Sequence, residues 1–162
     1  MASINDGAIH TTGELPAVGG KLPEFKGTNR KREDVSIASF PGWRVISLFP
    51  SIDTGVCATS VRTFNERASG REGVTVINVS ADLPFAQARW CGAEGLDNVV
   101  TLSTFRTDAL DVLGTRIAGG PMAGTSARAV LVVDPEGVVR YAQLVPVLGQ
   151  EPDYDSALRA IG

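Results

Sequence analysis

The chain has 162 residues, 43% of them hydrophobic and 20% charged, with a formal net charge of −3. That is enough for one domain whose core needs no metal or disulfide staple, and too apolar for wholesale disorder. The negative balance argues against a binder of nucleic-acid backbone, which needs a basic face, and no apolar run approaches the ~20 residues of a membrane span.

The polar start, MASINDGAIHTTGELP, lacks the charged-then-apolar pattern of a signal peptide, so a cytoplasmic protein is expected. It holds the single histidine, His10, which reads as a surface or hairpin residue. Residues 1 to about 21 read as an N-terminal extension bringing a β-hairpin to the fold. The basic run Lys26 to Arg32 (KGTNRKR) reads as a solvated loop. Trp43 to Phe49 (WRVISLF) is rich in β-formers and reads as a buried strand ended by Pro50.

The SIDTG loop follows, with Asp53 or Thr54 able to cap a helix. Val56, Ser60, Val61, Phe64 and Ala68 share one face, with Arg62, Asn65, Glu66 and Arg67 largely off it. An amphipathic helix over 56–68 is predicted. Val74 to Val79 is a second strand. Leu83 to Cys91 (LPFAQARWC) opens a shorter helix, with Pro84 early in it. Val99 to Leu102 is a short strand, and Thr107 to Leu113 a helix ended by Gly114. After the AGGPMAG loop, Arg128 to Val133 and Val138 to Val145 form a hairpin around the turn Asp134 to Gly137. Asp153 to Ile161 is a last helix.

Strand and helix alternate, then a helix and a hairpin follow. That is an α/β order in which parallel strands meet an antiparallel pair, the thioredoxin-like arrangement. No repeat or linker divides residues 1–162, so one domain is expected.

The residue inventory narrows the chemistry. A Ser-His-Asp or Cys-His hydrolase would have to take its base from His10. A structural zinc site needs about four ligands in close pairs, which one histidine and two cysteines 34 positions apart do not supply. Neither a P-loop nor a strand-following GxGxxG occurs. What remains is the thiols, Cys57 and Cys91, a pair that can be catalytic, redox-sensing or structural. Cys57 falls in the first turn of the predicted helix, where unpaired N–H groups and the helix dipole favour an anion. Cysteines so placed ionise more readily than free ones, although a buried cysteine is also an ordinary small hydrophobe.

The run Pro50-Ser51-Ile52-Asp53-Thr54-Gly55-Val56-Cys57 reads PxxxTxxC and resembles the active-site signature of the peroxiredoxins. LFPSIDTGVCATSVRTFN, VSADLPFAQARWCGAEGLDNVVTLSTFR, GPMAGTSARAVLVVD and EPDYDSAL extend the likeness from about Leu22 onward. They resemble the thiol peroxidase (Tpx) subfamily of atypical two-cysteine peroxiredoxins. The resemblance implies Cys57 as the peroxidatic cysteine, Pro50 and Thr54 as its motif partners, Arg128 as the catalytic arginine and Cys91 as the resolving cysteine. It implies a hydroperoxide substrate, a sulfenic acid on Cys57, a Cys57–Cys91 disulfide, thioredoxin as reductant and a homodimer. No metal, haem or flavin is called for.

Because a disulfide needs Cα atoms about 4.4–6.8 Å apart, local unwinding of the Cys57 turn and the Cys91 segment is expected. Two residues depart from the pattern. Asp53, a carboxylate four residues before the thiolate, is expected to face solvent or cap the helix. Trp90 stands where a smaller aromatic is expected, which leaves the packing of the Cys91 segment open. The competing readings are a one-cysteine peroxidase with a structural Cys91, and a non-enzymatic redox sensor.

Overall fold

In the computed structural model, residues 10–68, 70–96, 99–147 and 149–162 are described. The strands are β1 (Lys26–Thr28), β2 (Asp34–Ser36), β3 (Trp43–Leu48), β4 (Val74–Ser80), β5 (Val100–Ser103), β6 (Ala129–Val133) and β7 (Val139–Leu144). The helices are α1 (Gly55–Ala68), α2 (Pro84–Ala93), α3 (Ala109–Leu113) and α4 (Tyr154–Arg159). The strands form one sheet in the order β2-β1-β5-β4-β3-β6-β7. Strands β3, β4 and β5 run parallel, and β6 and β7 join them antiparallel, the thioredoxin-like α/β arrangement expected.

The central strands are buried on both faces, so they read as continuous apolar runs and not as alternating ones. Ile46, Leu48, Ile77, Val79, Leu131 and Val133 pack with Leu110 and Leu113 of α3 on one face. Val45, Val76, Val130 and Val132 meet Phe64 and Ala68 of α1 and Ala157 and Leu158 of α4 on the other. Pro84 opens α2 as its first residue, where a missing N–H costs nothing. Gly114, with φ +72°, ends α3 in the left-handed conformation. A side chain at Gly114 would also collide with the Glu14 backbone, because residues 12–22 cross here and bond to Arg116, Gly137 and Val139.

The hairpin at the N-terminal side of the sheet is β1–β2, beyond the first 21 residues. It takes in the basic run, which corrects the reading of KGTNRKR as a loop. Asn29 Oδ1 accepts from the N–H groups of Lys31 and Glu33, and Arg32 turns the chain at φ +65°. His10 is exposed, as expected, and its carbonyl accepts from Ala118 N–H. The last helix is shorter than expected at both ends: Asp153 caps its start, accepting from Ser156 N–H, and Ala160 is its C-cap. Among the described residues no helix is long and apolar enough to cross a membrane.

Candidate active site

Strand β3, buried from Arg44 onward, runs into Phe49 and Pro50, and Pro50 cannot donate to a sheet ladder. The loop after it is held by one carboxylate. Asp82 accepts from Ser51 Oγ (2.6 Å), from Ile52 N–H (2.7 Å) and from Ser80 Oγ (2.6 Å). Ser80 Oγ in turn accepts from the buried amide of Gln87 (3.1 Å). Asp82 therefore ties the approach to α1 to the end of β4 and the base of α2.

The first bond into α1 is Ala58 N–H to the Thr54 carbonyl (2.9 Å). Earlier N–H groups at a helix start have no intrahelical acceptor, so they carry the positive end of the helix dipole. Cys57 lies in this first turn, which contains no acidic residue. Its side chain is fully buried, among Phe49, Ile52 and Val61.

Arg128 reaches the same point from the residue before β6. It is 2% exposed, and its Nη2 donates to Cys57 Sγ at 3.2 Å. Its carbonyl accepts from Val145 N–H, which fixes the backbone from which the guanidinium projects. Helix α4 packs nearby through Tyr154, whose ring meets Phe64 edge-on at 5.0 Å. Burial and then the hydrogen bond to Glu151 hold the Tyr154 phenol well above its ordinary range, so it is a neutral group at physiological pH.

Two candidates need qualification in position. Thr54 is exposed, and its hydroxyl donates to the Ser51 carbonyl (3.0 Å). It is the Thr54 carbonyl that opens the helix. Asp53 faces solvent, as expected, 4.0 Å from Arg89 of α2.

Cys91 is fully buried on α2, in the same apolar cluster as Cys57, together with Val99, Leu96 and Trp90. Neither cysteine is in a disulfide. Trp90 is half-buried, and the Arg62 guanidinium lies over its ring, 5.5 Å from the centroid. Among the described residues, no group of three or more His, Cys, Asp or Glu side chains could hold a metal ion.

Of the residues named from the sequence, Arg128 is the one whose side chain meets the Cys57 sulfur, and the Asp82 hub was missed. A signal for it exists, since an Asp shortly before a Pro-opened helix is a common turn residue. Its partner at Ser51 is visible only once the fold brings 51 and 82 together.

A profile of the Redoxin family matches residues 17–158. The chain is 51% identical over 161 residues to a thiol peroxidase of Mycobacterium tuberculosis, covering 99% of this chain and 97% of that protein. It is 50% identical over 152 residues to a thiol peroxidase of Corynebacterium glutamicum, covering 93% and 92%. Among solved structures, a peroxiredoxin-like protein from Aquifex aeolicus superposes with a TM-score of 0.87 at 34% identity, covering 99% of this chain and 98% of that one. A thiol peroxidase from Chromobacterium violaceum, at 24% identity, shares the fold with a TM-score of 0.86 over 93% and 89% of the two chains.

Proposed function

The chain belongs to the Redoxin family and is a thiol peroxidase, a peroxiredoxin enzyme, and we propose that Cys57 is its attacking thiolate and Cys91 the thiol that resolves it. The observation that carries this reading is the contact of Arg128 with Cys57 Sγ, at 3.2 Å in a buried helix start. A buried guanidinium donating to a sulfur in the first turn of a helix stands ready for charge that develops on a peroxide oxygen.

The Cys57 thiolate attacks the terminal oxygen of ROOH. A sulfur–oxygen bond forms, the O–O bond breaks, and the expelled alkoxide RO⁻ takes a proton from solvent and leaves as ROH. Buried Pro50 keeps water from the sulfur. Thr54 donates to Ser51 at rest, which leaves its oxygen lone pairs to accept the hydrogen of the incoming hydroperoxide. The Cys57 sulfenic acid then condenses with Cys91, releasing water and forming the disulfide. Both thiols lie in one apolar cluster, which supports this pairing over a purely structural Cys91. On this reading the Cys57 turn and the end of α2 open as the two sulfurs join.

Thioredoxin is the reductant that closes the cycle, in the cytoplasm, and the working unit is the whole chain as one domain with an extension over about residues 1–21. A homodimer is supported by the exposed apolar side chains Leu83 and Phe85 at the start of α2, 51% and 63% exposed. Light scattering at micromolar concentration tests the dimer. The enzymatic cycle is tested by NADPH consumption with thioredoxin and its reductase, in wild type, Cys57→Ser and Cys91→Ser. Turnover in wild type alone is expected. Full turnover in Cys91→Ser would establish a one-cysteine peroxidase instead, and none in wild type would favour a redox sensor.

A further inference from the structure

Cys57 and Cys91 lie on different helices, and one side chain joins those helices across the segment that carries Cys91. Arg62, on the Cys57 helix, donates from Nε to Glu94 Oε1 at 2.6 Å. Glu94 caps the C-terminal end of α2, three residues after Cys91, and its N–H bonds to the Trp90 carbonyl (3.0 Å). The same guanidinium covers the ring of Trp90, immediately before Cys91. Arg62 therefore grips the chain on both sides of the resolving thiol.

We propose that Arg62 and Glu94 are positioning residues for the resolving step, forming a latch that holds the Cys91 segment wound in the dithiol enzyme and must release before Cys91 reaches Cys57. The inference rests on the Cys57–Cys91 disulfide reading. In that step the S–O bond of the sulfenic acid breaks and the S–S bond forms. The hydroxyl leaves with the Cys91 proton as water, Cys57 sulfur is reduced and Cys91 sulfur is oxidised.

The latch suits a reversible gate because it is half-exposed, with side-chain exposures of 44% for Arg62 and 32% for Glu94. An ion pair in such a place, with one cation–π contact, is strong enough to bias an opening equilibrium by roughly 3- to 10-fold and weak enough to break in each cycle. The buried faces of both helices, Val61 and Phe64 on one and Gln87 and Cys91 on the other, take no part in it.

The test is rapid mixing of the reduced full-length chain with hydrogen peroxide, followed by acid quench, thiol blocking and intact mass, in wild type, Glu94→Gln and the charge swap Arg62→Glu/Glu94→Arg. In Glu94→Gln the sulfenic acid should pass to disulfide about 3- to 10-fold faster, with a matching fall in sulfinic acid at excess peroxide. Its dithiol–disulfide equilibrium against glutathione should move toward disulfide by the same factor, about 15–30 mV. The charge swap should restore slower resolution than Glu94→Gln. Raising ionic strength should speed resolution in wild type and leave Glu94→Gln unchanged, a readout that needs no variant to fold differently. A wild-type disulfide forming at the same rate and potential in Glu94→Gln, with no salt effect, overturns the latch alone. A wild-type chain that stops at the sulfenic acid overturns the disulfide reading and the latch with it.

Discussion

Replacing Arg128 by Met keeps most of the side chain's volume and removes its charge and donors. Two unit charges about 4 Å apart in an effective dielectric of about 20 interact by roughly 4 kcal/mol. Arg128 Nη2 lies 3.2 Å from Cys57 Sγ with both residues buried, so this contact belongs near that value and not with weak surface pairs. Part of the gain is offset by the cost of holding a guanidinium out of water. The charge also moves from sulfur to the leaving oxygen during attack, so what the rate registers is the difference between two stabilised states. Preorganised donors of this kind measure about 10²–10³ in rate on removal. Arg128→Met should therefore slow single-turnover peroxide consumption by about that factor, and alkylation of Cys57 by iodoacetamide at fixed neutral pH should slow as well. Arg128→Lys, a charge without the planar fork, should fall between the two. Circular dichroism of each variant controls for folding. A folded Arg128→Met enzyme within about threefold of wild type would refute the electrostatic role argued from the 3.2 Å contact.

Asp82→Ala should loosen the loop that leads through Thr54 into the Cys57 turn, because it strands the Ser51 hydroxyl and the Ile52 N–H. About tenfold slower peroxide reduction, with a melting temperature lowered by several degrees, is expected from the loss of such buried-side hydrogen bonds; an unchanged rate would remove Asp82 from the site. Trp90 fluorescence should change when peroxide is added to reduced enzyme and return with thioredoxin, since opening the Cys91 segment takes the indole from under Arg62. Trp90→Phe should lose most of the signal, because Trp43 packs in a separate cluster with Tyr141 and Ile161. A full signal in that variant places the motion elsewhere. Asp134 accepts from Val138 N–H, Arg140 and Glu136 N–H, and these bonds, Val138 first, hold its carboxyl below the ordinary range. Its contribution to stability is complete above the unfolded-state value of about 4 and is lost as pH falls through the lower folded value. Asp134→Asn should therefore melt earlier than wild type at neutral pH, and the gap should narrow in acid; a gap constant down to strong acid would show that Asp134 does not supply this linkage.

The β3–α1 turn was legible because local and global signals agree there. Pro50 ends a buried apolar run, Thr54 opens the helix, and Val61, Phe64 and Ala68 repeat at helical spacing. The N-terminal hairpin was expected, but its place at β1–β2 was not legible, because its strands are three residues long and too short to show a period. Its turn rests on the Asn29 side chain and on a left-handed arginine, Arg32, so the local charge run misled.

Arg128 shows the limit on the site itself. In the sequence it looks like a strand-opening cation, and only the family resemblance aimed it at a sulfur 71 residues earlier. Thr54 stands at the start of the helix, but its hydroxyl direction is set by the Ser51 carbonyl, a local competition that the motif does not encode. Asp82, Arg62 and Glu94 act between elements, and no spacing rule within one element reveals such partners.

The central claim is that Cys57 and Cys91 act as one redox couple. The most direct measurement is intact mass after one equivalent of hydrogen peroxide, on the reduced wild type beside Cys57→Ser and Cys91→Ser. The account predicts loss of two hydrogens in wild type, gain of one oxygen in Cys91→Ser and no change in Cys57→Ser. Gain of one oxygen in wild type, or oxidation that persists in Cys57→Ser, would contradict it.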